Sequence, residues 1–167
     1  NLDEVIKKME NNIIIASSVD IKTTNEILNL CTKYNNIFCT IGIHPEFATL
    51  DSKIIDSEID YIEKKLSDKH VVGIGEIGLD YHYIENSSDK DLQKELFIKQ
   101  LDMATRLSKP VVIHTREATK DTLDILKSYN LIGDIHCFSG SLEIAREYIS
   151  LGYKLGIGGV LTFKNSK

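Results

Sequence analysis

Three apolar segments of the chain each carry, at or near their end, a side chain that can bind a metal or move a proton. The first carries Glu76, the second ends on His114 and the third on His136. Imidazole nitrogens and carboxylate oxygens are the groups by which proteins hold Zn, Mn, Fe or Co. A buried carboxylate is unfavourable unless it is paired or bound to a metal, although a salt bridge or a core histidine would be the structural alternative. We predict that Glu76, His114 and His136 bind metal and that Glu76 is also catalytic.

Further basic side chains follow the ends of these and related segments and could bind a substrate. His44 stands before Pro45 and could either contact a substrate or cap a turn. Arg116 could clamp a phosphate, for which its planar guanidinium is well suited, or pair with Glu117 at the surface. A phosphate contact from Lys164 is also predicted. We therefore take His44, Arg116 and Lys164 as candidate substrate-binding residues.

Other polar residues near these segments receive structural interpretations. Asp80 and His82 follow Glu76 towards a loop, so surface positions are expected, with support of a metal ligand as the alternative. Cys137 could be a ligand or nucleophile, but no second cysteine is nearby, and we predict that it packs in the fold. The sequence contains no P-loop and no Gly-x-Ser-x-Gly elbow, which disfavours nucleotide-kinase and serine-hydrolase functions. A dinucleotide function is disfavoured as well, and no nucleotide cofactor is expected.

Runs rich in valine and isoleucine, with little polar alternation, are typical of parallel strands buried on both faces. Strands are predicted at Asn12–Ala16, Ile37–Ile43, Val71–Ile77, Pro110–His114, Gly133–His136 and Tyr153–Ile157. Amphipathic segments between them predict helices, one of which is expected to begin at a capping box of Thr23 and Glu26. The helix before Pro110 is predicted to have an inward face made of Leu92, Leu96, Leu101, Ala104 and Leu107.

Alternating strands and helices imply a parallel sheet with right-handed crossovers. An open doubly wound sheet gathers its ligands at one switch point, whereas a closed barrel collects them from many strand ends. We therefore predict an α/β fold of the TIM (β/α)8 barrel type, as a single metal-binding domain over residues 1–167. A complete barrel needs about 250 residues. The expected barrel is incomplete, with about six of its eight βα units and without the first and last strands.

Composition limits the function and location of the protein. The net charge of −5 argues against nonspecific coating of nucleic acid, although a bound cation could still attract a phosphate. The three cysteines show no paired metal-ligand spacing, which favours a reducing compartment. No apolar run approaches the ~20 residues that span a bilayer, and no signal peptide pattern is seen. We predict a cytoplasmic protein with no membrane association.

The chain resembles the TatD family of metal-dependent deoxyribonucleases in five stretches that follow the family's order and cover most of its length. These stretches are Ile41-Gly-Ile-His-Pro45, Gly73-Ile-Gly-Glu-Ile-Gly-Leu-Asp-Tyr81, Pro110-Val-Val-Ile-His-Thr-Arg-Glu-Ala118, His136-Cys-Phe-Ser-Gly140 and Gly156-Ile-Gly-Gly-Val-Leu-Thr-Phe163. The resemblance implies a TIM-barrel hydrolase of the amidohydrolase-like superfamily that cleaves phosphodiester bonds of DNA, trimming strands from an end. DNA is therefore the expected partner.

The resemblance also implies the cofactors. Two divalent metal ions per complete site are expected, as Mg, Mn, Zn or Co, with Glu76, His114 and His136 among their ligands. The family's amino-terminal His-x-His and carboxy-terminal Glu-Thr-Asp do not occur in this sequence. The chain is thus expected to hold half of a metal site and to be inactive by itself. Two alternatives remain open: a hydrolase of another ester or amide, such as D-aminoacyl-tRNA, and a non-catalytic metal-binding fragment.

Overall fold

The computed structural model describes residues 2–165 as strands alternating with helices. The strands are β1 (Ile14–Ser17), β2 (Ile37–Ile41), β3 (Val71–Asp80), β4 (Val111–Arg116), β5 (Gly133–Ile135) and β6 (Tyr153–Leu155). The helices are α1 (Leu2–Lys8), α2 (Ile21–Lys33), α3 (Ser52–Lys65), α4 (Ser87–Leu107), α5 (Thr119–Leu126) and α6 (Leu142–Ser150). Two 3₁₀ helices cover Pro45–Phe47 and Gly159–Thr162. The predicted alternation of elements is confirmed.

The six strands form one parallel sheet in the order β1-β2-β3-β4-β5-β6. Because each strand lies beside the next one in the chain, the sheet has no switch point of the doubly wound kind. A single cavity of 330 Å³ is bordered by a residue from every strand, from Ile15 on β1 to Lys154 on β6. The sheet therefore curls around its inner face. The prediction of an α/β fold that matches an incomplete TIM barrel is confirmed.

The two faces of the sheet differ in burial. Ile74 and Ile113 are fully buried in the same core as Phe97 of α4. On the inner face, by contrast, Ile15 keeps 56% of its surface exposed and Ile132 keeps 68%. An incomplete barrel leaves part of its core uncovered, and these isoleucines are that part.

Among residues 2–165, no helix is both long and apolar enough to cross a membrane.

The predicted start of α2 is wrong by a short distance. The helix begins at Ile21 and is capped by Asp20, whose Oδ1 accepts a hydrogen bond of 2.7 Å from the Thr23 amide. The Thr23 hydroxyl accepts a bond of 3.1 Å from the Asp20 amide in return. A capping box is therefore present, but Thr23 is the third residue of the helix, whereas the prediction placed it at the N-cap with Glu26 three residues later. The aspartate carboxylate is a strong cap, so the helix starts there rather than at Thr23.

The inward face of α4 also differs from the prediction. Leu96, Leu101 and Ala104 are buried as expected, but Leu92 remains 40% exposed. The buried position next to it is Gln93, which the apolar pattern could not identify. A polar side chain enters the interior here because strand ends nearby offer it hydrogen-bond partners.

Three glycines of β3 have the Gly-x-Gly-x-x-Gly spacing of dinucleotide-binding proteins, namely Gly73, Gly75 and Gly78. That fingerprint requires the glycines to lie in the turn between a strand and a helix. Here all three lie within the strand itself. The spacing therefore reflects close packing of β3 against its neighbours and carries no indication of a nucleotide cofactor.

Gly78 is expected to tolerate no side chain. Its φ is +145°, and an added Cβ would overlap the carbonyl oxygen of His114 on β4. Backbone strain and overpacking each destabilise proteins by about 1–3 kcal/mol. We expect Gly78→Ala to lower the free energy of unfolding by about 3 kcal/mol or more, measured by urea denaturation. Gly159→Ala is the matched control, because an added Cβ there meets no atom within 4 Å. Equal stability of the two variants would contradict this account of β3.

Candidate metal centre

The carboxyl ends of β2 to β5 bring five of the six predicted site residues to one mouth. A cavity of 410 Å³ is lined by His44, Glu76, His114, Thr115, Arg116, His136, Cys137 and Ser139. The sixth predicted residue, Lys164, is exposed in a turn after the second 3₁₀ helix and does not line this cavity. The carboxyl ends of parallel strands meet at one edge of a sheet, which is why residues far apart in sequence converge here.

Glu76 owes its orientation to an irregularity in β3. The ladder passes from the pair Ile74–Val111 to the pair Ile77–Ile113, so β3 carries one residue more than β4 between them. Such bulges turn a side chain away from its regular direction and are frequent beside active sites. The Glu76 amide donates to the carbonyl of Ser18 at 2.9 Å. Its side chain is only 14% exposed, at the floor of the cavity.

His114 lies between two carboxylates. Its Nδ1 is 3.0 Å from Glu76 Oε1 and its Nε2 is 3.0 Å from Asp80 Oδ2. A ring that faces an ionised carboxylate at each nitrogen can donate to both only as the imidazolium. Burial by itself would lower the pKa of His114, but the hydrogen bonds and charges of Glu76 and Asp80 outweigh it and raise that pKa. Burial raises the pKa of Glu76, but its bond to His114 and the neighbouring histidines together lower it.

His44 caps a turn, which was one of the two alternatives predicted for it, and its ring also lines the cavity. Its Nδ1 accepts a hydrogen bond of 3.3 Å from the Glu46 amide at the start of the first 3₁₀ helix. Its ring meets the ring of His114 edge-on, with 4.6 Å between the centroids. Burial, followed by the charge of His114, lowers the pKa of His44. Of the two histidines, His44 is therefore the one whose neutral form is favoured.

Asp80 completes a group that could hold a metal ion. Ligand atoms of His44, Asp80 and His114 all lie within 4.8 Å of one another. Two ligands that are each about 2.1 Å from one ion lie at most about 4.2 Å apart, so small side-chain rotations suffice to bind it. Two imidazoles and a carboxylate suit Zn, Mn or Co. This is the one such group found within residues 2–165.

The expectation that Asp80 lies on the surface is wrong. β3 continues to Asp80, and the side chain is only 13% exposed. Pairing of Asp80 with Arg116 on β4 extends the strand beyond its predicted end at Ile77. A signal was present in the sequence, because side chains of a strand alternate and residues 76, 78 and 80 share one face. With glycine at 78, the carboxylates of Glu76 and Asp80 lie on that face with no side chain between them.

His136 lies just after β5, at the opposite side of the mouth from His44. Its amide donates to the Ile113 carbonyl at 2.8 Å, which anchors it beside β4, and the residue is exposed. The Sγ of Cys137 is 3.2 Å from its Nε2. The prediction that Cys137 packs in the fold is wrong, since the residue is exposed. The left-handed backbone of Cys137, with φ of +47°, turns the chain outward directly after the strand.

Arg116 lies at the rim of the cavity, and Glu117, the surface partner considered for it, pairs with another residue. Glu117 pairs with His82, whose Nδ1 is 2.6 Å from Glu117 Oε1. The guanidinium of Arg116 lies over the ring of Tyr83, 5.3 Å from its centroid. A neighbouring cavity of 510 Å³ begins here and shares His44, His114 and Arg116 with the cavity of 410 Å³. His82 is exposed, as predicted.

Comparison with known proteins identifies the family. The family model described as TatD related DNase matches residues 1–167. This chain belongs to the TatD family. The metal-dependent hydrolase YabD of Bacillus subtilis is 36% identical over 175 residues, which cover 100% of this chain and 66% of YabD. A putative deoxyribonuclease TATDN1 homolog of Encephalitozoon cuniculi is 37% identical over 161 residues, covering 95% of this chain and 55% of that protein.

Solved structures agree with this assignment. The TatD homolog YJJV of Escherichia coli K12 superposes with a TM-score of 0.83 at 28% sequence identity, covering 93% of this chain and 60% of YJJV. The TatD chain described here thus spans about two thirds or less of the relatives it matches. The resemblance inferred from the five sequence stretches is confirmed, and the incomplete barrel corresponds to part of a TatD barrel.

Proposed function

We propose that this TatD chain supplies a metal-dependent phosphodiesterase site that cleaves DNA and removes nucleotides from a strand end. The observation that carries the proposal is the convergence of three histidines and two carboxylates at the ends of four neighbouring strands. Arg116 stands at the mouth of the same cavity. Relatives are described as metal-dependent hydrolases and one as a putative deoxyribonuclease, which supports this substrate class.

The residues present fit the two divalent ions expected of a complete site. Glu76, His114 and His136 would hold these ions at the carboxyl ends of β3, β4 and β5. Asp80 Oδ2, which lies 3.0 Å from His114 Nε2, would orient that ring, as carboxylates commonly orient metal-bound histidines. Divalent ions at such a site lower the pKa of water and neutralise charge that develops on a phosphate.

The side chains of the chain itself would bind and orient the substrate. Arg116 would hold a phosphate oxygen with two parallel hydrogen bonds, a geometry that lysine does not provide. His44 would limit where the phosphate can lie, because its ring forms the wall beside His114. Lys164 lies outside the cavity lining, so we assign it to a phosphate farther along the strand. Positioning of this kind supplies a large part of rate enhancement in reactions of phosphates.

A substrate panel tests the proposal. The protein as its gene encodes it is stripped with a chelator and resupplied with Mn, Mg, Zn or Co. It is then given end-labelled single-stranded DNA, RNA of the same sequence, and D-aminoacyl-tRNA. We expect stepwise shortening of the DNA with metal and none after the chelator. Deacylation of the tRNA without DNA cleavage would favour a different ester as substrate. Metal binding without any turnover would favour the non-catalytic alternative.

A further inference from the structure

Tyr83 is a large aromatic side chain that lies in solvent at the mouth of the site. It keeps 81% of its surface exposed, and it follows the end of β3 at Asp80 by three residues. Single exposed apolar side chains are ordinary on protein surfaces, so exposure alone indicates nothing. What distinguishes Tyr83 is that its neighbours fix its orientation and that it borders a cavity.

Two contacts fix the Tyr83 ring. The guanidinium of Arg116 lies over one face, 5.3 Å from the ring centroid, and the ring of His82 meets it edge-on at 4.4 Å. His82 is itself anchored, because its Nδ1 lies 2.6 Å from Glu117 Oε1 and its amide donates to Asp80 Oδ1 at 3.0 Å. The turn therefore presents Tyr83 in one orientation with its opposite face in solvent. A ligand that stacks on that face has little side-chain freedom to restrict, which favours binding.

The cavity of 510 Å³ connects this ring with the proposed metal site. It extends from Tyr83 to His114. Arg116 borders this cavity and also the cavity of 410 Å³, which contains Glu76 and His136. A phosphate that Arg116 holds beside the metal ligands therefore leaves room next to Tyr83 for the sugar and base attached to that phosphate.

The walls of the cavity of 510 Å³ suit a base better than a phosphate. Its lining includes the carboxylates of Glu46 and Asp89 and the apolar side chains of Pro45 and Ile84. Carboxylates repel a phosphate, whereas they accept hydrogen bonds from the amino groups of bases. The apolar side chains offer contact to a flat ring. The charge of the lining thus places the phosphate at Arg116 and the base deeper in the cavity.

Gln93 borders the same cavity but serves the fold rather than a ligand. Its Oε1 accepts from the Asp80 amide at 2.8 Å, and its Nε2 donates to the Asp80 carbonyl at 2.8 Å. Both polar atoms of this buried side chain are thus engaged with the backbone. The two bonds hold the end of β3, from which the turn that carries Tyr83 begins.

We propose that the cavity of 510 Å³ is a nucleobase subsite, in which Tyr83 stacks on the base of the nucleotide whose phosphate Arg116 binds. The inference rests on the proposed function, because it states where a nucleotide of the DNA lies. A guanidinium stacks through its face and donates through its edge, so Arg116 can lie on Tyr83 and hold a phosphate at the same time. Every base has a π-face, so such a subsite accepts nucleotides of any sequence.

The test compares two ligands that differ only in the base. The protein as its gene encodes it is titrated in Mn²⁺ with deoxyadenosine monophosphate or with 1,2-dideoxyribose phosphate, and Kd is measured by calorimetry. Both ligands are used as 5′- and as 3′-phosphates, since the direction of the strand in the cavity decides which one binds. We expect the nucleotide to bind about 5- to 150-fold more tightly than the base-free ligand, the range that one base–aromatic stack supplies.

Variants assign this difference to Tyr83. Tyr83→Ala should bind the two ligands equally, whereas Tyr83→Phe keeps the ring and should keep the difference. Arg116→Ala should weaken both ligands by a similar factor, because both carry the phosphate. Tyr61→Ala is the matched control, since Tyr61 lies on α3, donates its hydroxyl hydrogen to Asn25 and lines neither cavity at the mouth. It should bind both ligands like the wild type.

The subsite and the proposed activity fail in different ways. Equal affinity of the wild type for the two ligands, binding of neither, or an unchanged difference in Tyr83→Ala would overturn the subsite. DNA cleavage in the substrate panel would stand in each case. A difference that Tyr83→Ala abolishes, in a protein that shortens no DNA, would instead overturn the proposed activity and leave the nucleobase subsite in place.

Discussion

Replacing Glu76 with alanine is expected to reduce the proposed metal-dependent DNA cleavage by about 10³-fold or more, as for other groups that stabilise charge in a transition state. Glu76 Oε1 lies 3.0 Å from His114 Nδ1, and the carboxylate is proposed as a metal ligand. Its lowered pKa keeps the carboxylate ionised at neutral pH. The substitution therefore removes a negative charge from the floor of the cavity and leaves His114 with Asp80 as its one carboxylate partner.

Two comparisons isolate the role of Glu76. Glu76→Gln keeps the shape of the side chain and removes only its charge, so a similar loss is expected from it. Glu63→Ala makes the same alanine substitution at an exposed glutamate that pairs with Arg106 on the surface, where an ion pair contributes little. That variant should cleave DNA like the wild type. Wild-type rates in Glu76→Ala would exclude Glu76 from both metal binding and catalysis.

Metal affinity is expected to fall about tenfold per pH unit once the pH drops below the raised pKa of His114. In the metal-free protein, His114 is paired at both nitrogens with carboxylates, which raise its pKa and so favour its protonated form. A metal ion can bind the His114 ring only after a proton leaves it, so acid competes with the metal. Above the raised pKa of His114 that competition ends and affinity becomes nearly independent of pH.

His44 is expected to behave in the opposite way. Its pKa is lowered, so it is already neutral at pH values where His114 still carries a proton. Nuclear magnetic resonance titration of the metal-free protein should therefore place His114 above the ordinary histidine value of about 6.5 and His44 below it. An affinity for Mn²⁺ that does not change between about pH 5.5 and 7 would contradict the cationic His114.

The positions of the strands were predictable because each strand is part of a short run rich in valine and isoleucine, with little polar alternation. Each of the six predicted strands overlaps an observed one, with ends displaced by at most a few residues. The convergence of Glu76, His114 and His136 was predictable from the arrangement of the strands. Once the sheet is parallel and its strands follow chain order, residues at their carboxyl ends must meet at one edge.

The sequence by itself therefore determined the fold class, the family and the edge of the sheet where chemistry would occur. Only the tertiary structure decided the partners: the two carboxylates around His114, the inclusion of Asp80, and the exposure of Cys137. These depend on where a strand stops and how it is held, and in β3 that is decided by a bulge and by Gln93. A single buried glutamine carries no periodic signal, because its role comes from the backbone groups that the fold places against it.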